Sequence, residues 1–213
     1  MIDRPNSILL VAIVIVLVSA SLAIAFGPTG TARSQGSAEF VFETVGSLDG
    51  SYNAIARTAD GYLLLGSRGK VDVVDARDRA APRVVGTFTG LSGDVPGIAV
   101  DGRSAYVAAS ADGLLVLDVT TPAAPTLVGQ YRPGPLRGVA AREALAVVAG
   151  EDRVYFVDVS DASRPRELSS VAANVIKPVL SGDVALLGGA RPVLSVMGIG
   201  DPERPTELGR WDP

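Results

Sequence analysis

Four stretches decide how this chain reads: VDVVDARDRAAPRVVG (Val71 to Gly86), LLVLDVTTPAAPTLVG (Leu114 to Gly129), VYFVDVSDASRPRELS (Val154 to Ser169) and LSVMGIGDPERPTELG (Leu194 to Gly209). In each, an apolar run ends at one position, held by Asp75, Asp118, Asp158 and Gly198, and a proline follows seven residues later at Pro82, Pro125, Pro165 and Pro205. The prolines are spaced by 43, 40 and 40 residues, so the chain is a repeat of about forty residues.

Working outward, a second apolar segment precedes each run: YLLLG (Tyr62 to Gly66), AYVAA (Ala105 to Ala109), LAVVA (Leu145 to Ala149) and VALLG (Val184 to Gly188). Short links rich in Gly and Asp, such as Ser110-Ala111-Asp112-Gly113, join the two segments, which is hairpin chemistry. A third segment lies before these, as in GIAV (Gly97 to Val100), and a fourth follows each proline, as in PTLVGQY (Pro125 to Tyr131). Each unit therefore reads as a four-stranded antiparallel meander. Its inner strands are apolar on both faces, and a strand buried on both sides needs protein packed above and below its sheet. Sheets arranged radially about an axis satisfy that need, so the expected fold is all-β, a β-propeller of four four-stranded antiparallel blades.

The units resemble LVIVD repeats, extracytoplasmic propeller modules in which an apolar strand ends in Asp-Val-Ser-Asp-Pro and is followed by a proline and a Val-Gly strand. Leu115 to Pro125 carries this pattern closely and Phe156 to Asp161 nearly as well, the first unit is looser, and the fourth has Gly198 where the aspartate belongs. The resemblance covers roughly residues 40 to 213. One strand is in excess, because FVFETVGS (Phe40 to Ser47) is a fifth copy of the post-proline strand. Two arrangements stay open: a closed four-bladed ring with a spare edge strand, or an open arc completed by self-association or another chain.

Ahead of the repeats, Ile8 to Phe26 is 19 residues interrupted only by Ser19 and Ser21. As a helix it spans roughly 28 Å, close to the hydrocarbon thickness of a bilayer. The segment 1–26 reads as an uncleaved transmembrane anchor or a removed signal, Ala23-Ile24-Ala25 offering small residues for cleavage. Residues 27–38 read as a flexible linker and 39–213 as the repeat domain. Either fate of the leader places the domain outside the cytoplasm, membrane-anchored or secreted.

The chain has no Cys and no His, which removes thiol nucleophiles, histidine triads and thiolate or imidazole metal sites. A net charge of −4 disfavours a nucleic-acid partner. Asp75, Asp118 and Asp158 sit where an Asp side chain caps a turn, so they are assigned to structure rather than to a metal. The positions just before each innermost strand, Asn53, Pro96, Arg137 and Lys177, are expected at one mouth of the central channel, where Arg137 and Lys177 would suit a small anionic ligand. The expectation is a non-catalytic binding or scaffold module without cofactor or metal, tethered to the membrane by its leader and open to a protein or ligand. A hydrolase or lactonase using an oxygen-liganded divalent ion is the alternative, and a homodimer through open blade edges is the third.

Overall fold

The computed structural model describes Leu48, residues 50–189 and residues 193–212. The leader, the linker and the strand copy Phe40 to Ser47 lie outside these residues. All the elements described are strands, sixteen of them in four separate four-stranded sheets. The first sheet holds β1 (Ala54–Arg57), β2 (Tyr62–Ser67), β3 (Lys70–Asp75) and β4 (Arg83–Thr89). The second holds β5 (Gly97–Asp101), β6 (Ser104–Ala109), β7 (Gly113–Asp118) and β8 (Thr126–Tyr131). The third is β9 (Gly138–Arg142), β10 (Leu145–Ala149), β11 (Arg153–Asp158) and β12 (Arg166–Ala172), and the fourth is β13 (Val175–Ser181), β14 (Val184–Gly189), β15 (Leu194–Gly198) and β16 (Thr206–Trp211). Every sheet is an antiparallel meander in sequence order, so each forty-residue unit is one blade-like sheet.

The turn after the third strand of each sheet is built the same way. Asp118 Oδ1 accepts the Thr120 N–H at 2.8 Å and Asp158 Oδ1 accepts the Ser160 N–H at 3.0 Å, the aspartate cap read from the sequence. Three residues on, a backbone N–H closes a tight turn onto a carbonyl in all four sheets: Ala81 to Asp78, Ala124 to Thr121, Arg164 to Asp161 and Arg204 to Asp201. The outer strand then carries a bulge at the corresponding place each time, opposite Val73/Val74, Val116/Leu117, Phe156/Val157 and Val196/Met197. A bulge sharpens the local twist, which turns the outer strand across the neighbouring sheet.

Successive residues of the inner strands serve opposite faces. Val71 and Val73 of the first sheet pack with Leu115 and Leu117 of the second; Leu114 and Val116 of the second pack with Val157 of the third; Val154 and Phe156 of the third pack with Met197 of the fourth. Each sheet thus has a trailing face toward its successor and a leading face toward its predecessor. The innermost strands lie side by side in the order β1, β5, β9, β13, and no packing of comparable extent joins β13 back to β1. Glycine sets the spacing there, since a Cβ on Gly97 would stand 2.9 Å from Gly138 Cα and one on Gly138 would collide with the Ile176 carbonyl oxygen.

Candidate functional site

Three boundaries join the four sheets, and one pair of repeat positions fills each: the residue two places after the outer-strand glycine, and the second residue of the third apolar run. Between the first and second sheets these are Phe88 and Leu115, both in the shared core. Between the second and third they are Tyr131 and Tyr155, edge to face with centroids 6.2 Å apart and planes at 72°. The Tyr131 hydroxyl also donates to Glu167 of the third sheet. Burial first, and then the Glu167 carboxylate, hold the Tyr131 phenol well above the usual tyrosine range, so it stays a donor at neutral pH.

Between the third and fourth sheets the same two positions are Val171 and Ser195, and side chains of that size cannot fill the space. A cavity of about 540 Å³ remains, walled by Val171, Leu187 and Met197 and carrying Asn174, Ser195, Glu207 and Arg210 as polar groups. Glu207 occupies the repeat position of Glu167, but the hydroxyl that would bond to it is missing because Val171 stands where Tyr131 does. An apolar cleft of this volume with a few convergent polar groups is the usual form of a small-ligand site.

One of the two cations singled out by sequence, Arg137, reaches the edge of this cleft through a hydrogen bond. Arg137 precedes β9, as expected, and its Nη1 donates to Asn174 Oδ1 at 3.3 Å; Asn174 itself lines the cavity. Lys177 differs from its expected position. β13 begins at Val175 and has an irregularity between Val175 and Lys177, so Lys177 is the strand's third residue rather than the one before it. β9 and β13 are neighbours, so the strand that Arg137 leads into runs beside the strand that holds Lys177. Asn53 and Pro96 immediately precede β1 and β5, as read from sequence, and Asn53 is thereby two strands removed from β9. Asn53 is therefore set apart from the neighbouring strands β9 and β13. Among the described residues, no group of three or more acidic side chains is placed to hold a metal ion.

Ser195 and Glu207 were missed as candidates because each is unremarkable alone. Their signal is the loss of bulk along aligned positions, from Leu115 and Tyr155 to Ser195 and from Phe88 and Tyr131 to Val171, which has meaning only once these positions are known to face each other.

The LVIVD repeat model matches residues 92–132 and 133–173, the second and third units. No curated protein matches the sequence. Among solved structures, the chain is similar to the computationally designed Ika8 protein (TM-score 0.62, 13% identity, 78% of this chain and 50% of that one). It is also similar to a chain of the mitotic checkpoint complex (TM-score 0.64, 15% identity, 81% of this chain and 55% of that one). The computationally designed Ika4 protein matches with a TM-score of 0.58 and 14% identity, over 70% of this chain and 92% of that one. At these identities the likeness is one of fold, and the chain spans about half the length of the first two.

Proposed function

We propose, starting from a chain whose second and third sheets are LVIVD repeats, that this protein is a non-catalytic binding module of β-propeller type. It is held outside the cytoplasm by its N-terminal apolar segment, and it takes an aromatic ring bearing a hydroxyl in the cleft between its third and fourth sheets. The observation that carries this reading is the replacement of the Tyr131–Tyr155 pair by Val171 and Ser195 at the boundary that is left hollow. The ligand's ring lies against Val171, Leu187 and Met197, and its hydroxyl donates to Glu207 as Tyr131 donates to Glu167. Arg210, and Arg137 through Asn174, give the rim a positive character that suits a ligand with an anionic substituent.

Burying one aromatic ring contributes about 4 kcal/mol before the cost of immobilising it, so an isolated phenol binds no tighter than about millimolar. Tighter binding requires a larger molecule that also touches the rim. Ligand-observed NMR with p-cresol, and with toluene for comparison, tests the reading on the full chain. The expected result is saturation by p-cresol, weaker binding of toluene, and loss of both in the Val171→Tyr/Ser195→Tyr variant, which rebuilds the tyrosine pair inside the cleft. Failure of p-cresol to bind, or undiminished binding to the filled variant, rejects it.

A further inference from the structure

Among the described residues, the trailing face of the fourth sheet has no neighbour of the kind that covers the other three. Leu194 is 36% exposed, whereas Val71, Leu114 and Val154 at the same repeat position are fully buried. Trp211 is 59% exposed, whereas its counterparts Phe88, Tyr131 and Val171 each pack into a boundary core. Val179, opposite Leu186 on this face, is 53% exposed.

The outer-strand glycine says what is missing. A Cβ on Gly86 would collide with the Pro122 carbonyl oxygen, and one on Gly129 with the Ala162 carbonyl oxygen, each in the turn of the next sheet. At the third boundary the position is Ser169, whose hydroxyl donates to the Pro202 carbonyl at 2.6 Å. So each sheet receives at this point the carbonyl four residues after the end of its successor's third strand. The fourth sheet keeps the glycine, Gly209, and among the described residues nothing lies within 4 Å of a Cβ built there.

We propose that the trailing face of the fourth sheet takes the leading face of the first sheet of a second copy of this chain, with the Arg79 carbonyl of that copy seated on Gly209. Arg79 holds the repeat position of Pro122, Ala162 and Pro202, and its turn is exposed. On the same leading face Ile55 is 55% exposed, against 8% for Ile98 at the equivalent place in the second sheet. Two copies make the contact twice and close a ring of eight sheets. One contact must give way: Leu48 rests on Leu63, Leu65 and Val74 of the leading face, and it follows Gly46 by two residues as Trp211 follows Gly209. Trp211 of the second copy takes that place.

Trp211 is the single tryptophan, so its emission reports the contact. For the full chain in dodecyl maltoside, the account expects a protein mass of twice 21.8 kDa by light scattering. It also expects an emission maximum that moves to the blue as concentration rises. Gly209→Leu points its side chain into open space in the single chain, yet it leaves a 21.8 kDa monomer with red, concentration-independent emission. Trp211→Ser gives the same mass. The chain has no cysteine, so Arg79→Cys and Leu208→Cys chains can be mixed, and a disulfide-linked pair is expected only in the mixture. A monomeric parent chain, a dimer that survives Gly209→Leu, or Leu208→Cys chains linking to one another overturns the proposal.

Discussion

Asp118 and Asp158 show how much a single side chain contributes to a repeat. Each ends a buried strand and folds its carboxylate over the next turn, and the hydrogen bonds it receives there lower its pKa. In Asp118 the Thr120 hydroxyl and then its N–H are the cause, in Asp158 those of Ser160. Asp75 is held lower still, chiefly by Arg77, whose Nε and Nη2 lie 2.9 and 2.8 Å from its two oxygens. The Arg77 guanidinium in turn sits 4.8 Å from the centre of the Tyr62 ring. A carboxylate with a depressed pKa in the folded state stabilises it above the ordinary value of 3.8 and loses that contribution as pH falls through the folded value. The melting temperature is therefore expected to hold from pH 7 to about 5 and to fall below about pH 4. Asp118→Asn keeps an acceptor for the turn but cannot titrate, so it flattens part of the acid limb. An acid limb identical in parent and variant contradicts this assignment.

At the scale of the element, the first sheet departs from the others on its leading face. Asp72 stands where the second sheet has Leu115, and it is buried. Thr87 Oγ1 donates to its Oδ1 at 2.8 Å, while Lys70 Nζ at 2.6 Å and the Tyr52 hydroxyl at 3.2 Å donate to its Oδ2. Removing the buried acceptor with Asp72→Ala breaks all three hydrogen bonds and empties the space the carboxylate fills, and is expected to cost on the order of 2 kcal/mol in urea unfolding. Asp72→Asn, which keeps one oxygen, is expected to cost less, and equal losses would contradict the network. The strands themselves were legible in the sequence, because apolar runs and Gly or Asp turns recur at fixed spacing. The segment Gly90 to Pro96 was not: it lies between strands, yet it buries Leu91 and Val95 in the core between the first two sheets. Two apolar residues four apart, with Ser92, Gly93 and Asp94 between them, are too few to define a period, so only the neighbouring sheet explains them. Lys177 was read as the residue before the innermost strand, whereas it is the third residue of β13, and the irregularity there leaves no mark in the sequence.

For the whole molecule, the repeat supplies four sheets and three boundaries, and the chemistry lies where the repeat is broken. One break is internal, where Val171 and Ser195 leave a cleft; the other is terminal, where Trp211 and Gly209 face outward. The count of sheets followed from the proline spacing alone, whereas both breaks required knowing which repeat positions meet across a boundary. The central claim is that one repeat position, held by Gly86, Gly129, Ser169 and Gly209, receives the next sheet's turn wherever a next sheet exists. Urea unfolding of Gly129→Ala and Gly209→Ala at sub-micromolar concentration, where association is negligible, tests this most directly. The account predicts a loss on the order of 2 kcal/mol or more for Gly129→Ala, because its new methyl group meets the Ala162 carbonyl. It predicts a change within about 0.5 kcal/mol for Gly209→Ala, and equal effects at the two positions would contradict it.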